Sequence, residues 1–139
     1  MNQTVSTLMQ REVYCVNADD TIQAIESTLL DRGLSWVPVM DESGSVLGVI
    51  SNTDLLRFHA DQKDALVVCA WQICTYKPIM VRVDVPLGEV ARLMVESNIH
   101  HVVVTDGNDI QGVVSSFDFV RTFMNQPANP SIAADRLKP

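Results

Sequence analysis

Two stretches of the chain place a serine hydroxyl, and three residues later a carboxylate, at the start of a segment with helical apolar periodicity. They occupy residues 48–54 and 112–118, and each ends an apolar run typical of a strand. Ser, Thr and Asp at such a point indicate a helix N-terminus, which also offers unpaired N–H groups to an anion. Helix capping and the binding of an anionic ligand are therefore both open, and they are compatible. The side chains concerned are Ser51, Asp54, Ser115 and Asp118.

These stretches belong to an internal repeat. Trp36–Asp41 aligns with His101–Asp106 at an offset of 65 residues (101 − 36), and the apolar positions upstream match at the same offset. One residue is then lost in a predicted turn, so that Gly48 meets Gly112 at an offset of 64 (112 − 48). A single one-residue gap of this kind is what a duplicated unit should show.

Both units follow the order β-α-β-β-α, as the periodicity and the turn residues indicate. In the first unit we predict a helical lead-in at 4–9, a strand at 13–16, a helix opening at 19–21 and ending at Gly33, strands at 36–39 and 46–50, and a helix at 54–60. The corresponding elements of the second unit are predicted at 66–73, 79–81, 86–97, 101–104, 110–114 and 118–124, with Asn98 as the helix stop.

One unit of this size buries too little apolar surface to be stable by itself. We therefore predict an α/β (α+β) fold in which two similar units pack sheet to sheet, with pseudo-two-fold symmetry and related clefts where the units meet. The expected boundaries are residues 1–62 for the first repeat and 63–125 for the second. Residues 126–139, which hold three of the six prolines, are predicted to form a surface tail.

Composition excludes several classes of function. The formal net charge of −7 argues against general affinity for nucleic acid or for an anionic membrane. No run of 18 apolar residues and no secretory signal are found, so we expect a cytoplasmic protein. The three cysteines fit no common metal or redox spacing and are expected to be buried, reduced thiols: Cys15, Cys69 and Cys74.

The duplicated unit, the Val-Pro-Val-x-Asp strand at 37–41 and the two Gly-apolar-apolar-Ser-x-x-Asp endings resemble a pair of cystathionine β-synthase (CBS) domains, often called a Bateman module. The resemblance covers Val5 to Met124. It implies a regulatory module that binds AMP, ADP, ATP or S-adenosylmethionine in clefts between the repeats and signals to an unknown effector protein in trans. It also implies a homodimer, and no cofactor beyond the regulatory ligand.

The resemblance also implies roles for individual residues. Asp54 and Asp118 would accept hydrogen bonds from ribose hydroxyls, and Ser51 and Ser115 would donate to phosphate. His100 is similar to the phosphate-contacting histidines of some members, whereas the first unit has Ser35-Trp36 at that place, so the two clefts would differ. The base would lie against the short strand that begins each repeat, where the expected contacts are Tyr14, Cys15, Ile79 and Met80.

Other interpretations stay open from the sequence alone. The carboxylates could serve only as helix caps, and Arg57 and Arg121 only as parts of solvated helix faces. His100 and His101 alternate across a strand, so one should face the cleft or the surface and the other the core. No nucleophile elbow or glycine-rich phosphate loop is present, so we do not predict an enzyme. The alternative function is a ligand-free dimeric scaffold with clefts filled by side chains such as Tyr14 and Trp36.

Overall fold

The computed structural model describes residues 3–76 and 80–125, which form two sheets and five α-helices. The first sheet has the strand order β1-β2-β3-β4 and the second the order β5-β6-β7. The strands are β1 (Val16–Asn17), β2 (Trp36–Met40), β3 (Val46–Ser51), β4 (Thr75–Tyr76), β5 (Met80–Arg82), β6 (His101–Asp106) and β7 (Asp109–Ser115). The helices are α1 (Ile22–Arg32), α2 (Asn52–Ala60), α3 (Ala70–Ile73), α4 (Leu87–Glu96) and α5 (Ser116–Met124). The predicted α+β class is confirmed.

Strand pairing repeats in the two halves. β1 runs parallel to β2 and β5 parallel to β6, whereas β2 with β3 and β6 with β7 form antiparallel pairs. Each antiparallel pair has its register shift at the same repeat position, between Val39 and Met40 in one half and between Val104 and Thr105 in the other. The duplication predicted from the sequence therefore extends to this irregularity.

Local sequence signals set the helix ends. The Thr21 hydroxyl accepts a hydrogen bond from Ala24 N and caps α1. Gly33 follows that helix with a φ of 63°, and Asn98 follows α4 with a φ of 52°. Glycine and asparagine tolerate this left-handed region best, so both predicted helix stops are confirmed.

Some predicted elements differ in the structure. The strand predicted at 13–16 pairs only from Val16 onward, because β1 contacts β2 only at Val16 and Asn17. The lead-in at 4–9 contains a 3-10 turn at Val5–Thr7, and the lead-in at 66–73 contains the short α3. The edge strand β4 was not predicted. Ile79 and the tail at 126–139 lie outside the described residues.

Each hydrophobic core contains residues from a segment that precedes the other half. Val5 and Met9 are buried among the side chains of α4, β6 and β7, whereas Ala70 and Cys74 are buried among those of α1, β2 and β3. Backbone hydrogen bonds hold each of these segments against the other half. Val5 N donates to Val85 O of the second half at 2.8 Å, and the equivalent Ala70 N donates to Asp20 O of the first half at 2.9 Å.

The two sheets face each other through the side that their helices leave free. Pro38 and Val103 are buried although neither belongs to a helix-packed core. On the same side, the rings of Trp36 and His101 stack with centroids 4.8 Å apart and planes 9° apart. Trp36 and His101 occupy matching repeat positions, so their contact lies on the pseudo-two-fold axis. The expected sheet-to-sheet arrangement is thus present.

The close approach of β4 to β3 gives a first prediction. A Cβ atom on Gly48 would collide with Thr75 O and lie 2.9 Å from Cys74 Sγ. Because a backbone oxygen cannot move aside as a side chain can, we expect Gly48→Ala to lower the free energy of unfolding by about 1–3 kcal/mol. Urea denaturation would measure it. Gly88→Ala is the control, since a Cβ there has nothing within 4 Å; equal stability of both variants would contradict the prediction.

Candidate functional site

The first Ser-x-x-Asp ending forms a capping box at the start of α2. Ser51 N donates to Asp54 Oδ2 at 2.9 Å, and Asp54 N donates to Ser51 Oγ at 3.4 Å. The Arg57 guanidinium lies 3.5 Å from Asp54 Oδ1. In the part of the chain that the structure describes, the Asp54 carboxylate therefore has one oxygen engaged at the helix end and the other in a long ion pair.

The second ending has the same capping box with closer partners. Ser115 N donates to Asp118 Oδ2 at 2.8 Å, and Asp118 N donates to Ser115 Oγ at 3.2 Å. Asp118 Oδ1 accepts hydrogen bonds from Arg121 Nη2 at 2.7 Å and from Gln10 Nε2 at 3.2 Å. The helix-capping interpretation is confirmed for both carboxylates. Ligand binding by them remains a prediction.

Sheet register brings both serines to the inter-sheet side. Ser51 is the antiparallel partner of Trp36, and Ser115 is that of His101. Directly opposed residues of an antiparallel pair project from the same face of the sheet. Because Trp36 and His101 stack between the sheets, the two Ser-x-x-Asp endings lie on either side of this central stack.

Two crossing segments border the endings. Gln10 pairs with Val113 of β7 and then leads to Tyr14 and Cys15. Thr75 pairs with Val49 of β3 and then leads toward Met80. We call Ser115, Asp118 and residues 10–15 the Asp118 cleft. Ser51, Asp54, residues 74–76 and Met80 are called the Asp54 cleft.

Burial raises the pKa of the Cys74 thiol, and the negative charge of Asp54 adds to this rise. The expectation of buried thiols holds for Cys74, but it is wrong for Cys15, which is exposed because residues 11–15 pair with no strand. Cys69 is partly exposed.

The four predicted base contacts differ in their surroundings. The Tyr14 ring is half-buried, with the Arg32 guanidinium 4.0 Å from its centroid. Cys15 is exposed, and the Met80 side chain is 48% exposed. Ile79 lies outside the described residues. The structure thus leaves Met80 open to solvent and Tyr14 covered by a cation–π contact.

The two adjacent histidines face opposite ways, as the strand alternation predicts. His100 is exposed and lines a groove between α4 and α5. His101 faces Trp36, and burial lowers its pKa; nearby His100 adds to the decrease, whereas the Asp118 carboxylate opposes it. His101 is therefore the histidine that shares the inter-sheet side with Ser115. Phosphate contact by His100 stays a prediction.

Sequence reasoning missed Gln10 and left the role of two arginines open. Arg57 and Arg121 pair with the carboxylates one helical turn before them, as their i,i+3 spacing allows. Gln10 had no such signal, because 108 residues separate it from Asp118. The arrangement provides serine hydroxyls, carboxylates and guanidinium groups beside a space between two sheets, which suits a ligand with hydroxyl and anionic groups.

Two negative observations hold for residues 3–76 and 80–125. Among them, no group of three or more His, Cys, Asp or Glu side chains is placed to hold a metal ion. No helix within these residues combines the length and apolar character needed to cross a membrane.

A family model for the CBS domain matches the chain twice, at residues 5–61 and 70–125. The chain therefore belongs to the CBS domain family, as a tandem pair. It is also 27% identical to an L-aspartate semialdehyde sulfurtransferase of Methanocaldococcus jannaschii over 86% of this chain, which is 23% of that relative. The chain spans only 23% to 35% of the length of the first curated relatives it matches.

Solved structures show the same fold. The CBS domain pair of protein MJ0100, in complex with 5′-methylthioadenosine and S-adenosyl-L-methionine, has a TM-score of 0.83 against this chain. It is 24% identical to this chain, and the match covers 91% of this chain and 100% of that one. CBSX2 in complex with AMP has a TM-score of 0.77 and 22% identity, over 87% of this chain and 96% of that one.

The central stack generates a pH prediction. Because burial favours neutral His101, its contribution to stability is complete above a pH of about 6.5 and is lost as the pH falls through its lower folded-state pKa. We expect His101→Phe, which keeps a ring against Trp36 but has no proton to bind, to reduce the loss of unfolding free energy on acidification. Urea denaturation at several pH values would measure this.

His100→Gln serves as the control for that experiment, because His100 is exposed and lowers the pKa of His101 less than burial does. It should retain most of the wild-type pH dependence. Equal pH dependence in the wild type and in His101→Phe would contradict the placement of a neutral histidine in the stack.

Proposed function

We propose that this chain is a regulatory sensor that binds an adenosine-containing ligand, namely AMP, ADP, ATP or S-adenosylmethionine, in the clefts between its repeats. The observation that carries the proposal is the pair of capped Ser-x-x-Asp endings placed on either side of the Trp36–His101 stack. The AMP complex of CBSX2 and the 5′-methylthioadenosine and S-adenosyl-L-methionine complex of the MJ0100 pair support the choice of ligand class.

The proposed recognition uses the groups already described. A carboxylate accepts hydrogen bonds from two vicinal ribose hydroxyls, and charged acceptors make the stronger bonds. The serines at the helix N-termini and the nearby Arg57 and Arg121 would meet the anionic part of the ligand. Binding would stabilise one arrangement of the two repeats over another, and this shift would signal to an effector protein in trans. Regulation without catalysis, and the cytoplasmic location predicted from the sequence, are parts of the same proposal.

A thermal-shift screen tests the ligand class. A ligand present at about 100 times its dissociation constant adds about 2.7 kcal/mol, which raises Tm by several degrees in a domain of this size. We expect a rise with at least one of AMP, ADP, ATP, S-adenosylmethionine and 5′-methylthioadenosine, and none with GTP. No rise with any adenosine compound would contradict the proposal and favour the ligand-free scaffold.

The carboxylates are tested by a double variant, Asp54→Asn/Asp118→Asn. An amide keeps one acceptor for the helix cap but cannot accept from both ribose hydroxyls, so affinity for the ligand found in the screen should fall at least about tenfold. Isothermal titration would measure it. Asp31→Asn/Glu96→Gln changes the charge equally at exposed, repeat-related positions. Unchanged affinity in the first variant would show that the carboxylates do not bind the ligand.

We also propose that a second copy of this chain covers the outer helices. Leu30 and Val95 occupy matching repeat positions and are 82% and 80% exposed, and the matching Leu56 and Val120 are exposed as well. An apolar groove of about 420 Å³ lies between α4 and α5. Exposed apolar patches of this kind mark interfaces, and the repetition of this one in both halves favours a two-fold assembly.

Sedimentation velocity tests the dimer. The wild type should sediment as a dimer and Leu56→Lys/Val120→Lys as a monomer, because the charges would be buried unpaired. Leu66→Lys/Val67→Lys changes two exposed apolar residues elsewhere and should leave the dimer intact. A wild type that is monomeric at every concentration would contradict the proposal.

A further inference from the structure

Gln10 occupies the Asp118 cleft from within the chain. Its backbone is fixed to β7, since Gln10 N donates to Val113 O at 2.8 Å and Val113 N donates to Gln10 O at 3.0 Å. Its side-chain amide then donates to Asp118 Oδ1 at 3.2 Å, an oxygen that Arg121 also contacts. With the other oxygen bonded to Ser115 N, both acceptor atoms of Asp118 are engaged, and its side chain is only 6% exposed.

Within residues 3–76 and 80–125, the Asp54 cleft has no equivalent of this contact. The repeat places Thr75 where Gln10 stands, because Thr75 pairs with Val49 as Gln10 pairs with Val113. The threonine hydroxyl is two bonds closer to the backbone than the glutamine amide, so it does not extend as far toward the carboxylate. Among the described residues, the polar contact of Asp54 Oδ1 is the 3.5 Å ion pair with Arg57, and the Asp54 side chain is 14% exposed.

The base-contacting segments add no matched difference. The repeat aligns Tyr14, whose ring lies 4.0 Å from the Arg32 guanidinium, with Ile79, which is outside the described residues. It aligns Cys15 with Met80, and both are exposed. Among the described residues, the difference between the two clefts is therefore the contact of Gln10 with Asp118.

From these contacts we propose that Gln10 makes the two clefts unequal in affinity. An adenosine ligand fills the Asp54 cleft first, and it fills the Asp118 cleft only by displacing the Gln10 amide from Asp118 with its ribose hydroxyls. This inference rests on the proposed function. The displaced bond is one to a charged acceptor, so its loss weakens the second site by about tenfold.

Isothermal titration of the full chain with AMP, and separately with S-adenosylmethionine, tests the inference. The wild type should show a tight and a weak site for the ligand that binds. Asp54→Asn should remove the tight site and Asp118→Asn the weak one. Gln10→Ala should tighten the weak site by about tenfold and leave the tight site unchanged, because the Gln10 amide donates to Asp118, the carboxylate of the weak site.

The reciprocal variant, Thr75→Gln, transfers the glutamine to the other cleft and should weaken the tight site. It also keeps the test valid if Gln10→Ala fails to fold. Two equal sites in the wild type, or a weak site that Gln10→Ala leaves unchanged or weakens further, would overturn the inference while the proposed function stands. No heat with either compound, together with no rise in Tm with ADP or ATP, would overturn the proposed function, and the inference with it.

Discussion

The reciprocal exchange of two short segments is the interaction on which the rest of the structure depends. Val5 and Met9 complete the core of the second half, and Ala70 and Cys74 complete that of the first. A half of this size has little apolar surface to bury by itself. Each half therefore requires, for its core, residues from the segment that precedes the other half in the chain. The stability of one repeat thus depends on the presence of the other.

The same exchange builds the candidate clefts. A segment that crosses to the other half must pass the edge of its sheet, and the glycines at those edges, Gly48 and Gly112, leave no room for a side chain where it passes. Beyond the edge lie the capped helix N-termini with Asp54 and Asp118. Packing thus brings a stretch of backbone from one half to the carboxylate of the other, and a ligand bound there would contact both halves at once.

Features that depend on neighbours in the chain were predicted from the sequence, and features that depend on distant pairing were not. The helix stops, the hairpins and the opposite orientations of His100 and His101 follow from local periodicity and backbone preference. The edge strand β4 and the contact of Gln10 with Asp118 depend on which distant strand edge accepts a segment, and no local pattern encodes that choice. Residues 13–15 of the strand predicted at 13–16 do not pair for the same reason, since β1 meets β2 only from Val16 onward.

The positions at which the two repeats differ therefore decide how the two clefts differ. Identical halves would place identical residues on both sides of the axis and create two equal clefts. At the axis this chain instead stacks Trp36, which has no ionisable group, on His101, whose pKa burial lowers. Duplication explains the fold and the pair of Ser-x-x-Asp endings, but two sites of different affinity would fill over a wider range of ligand concentration than two equal ones. Such inequality can arise only at positions where the two copies differ.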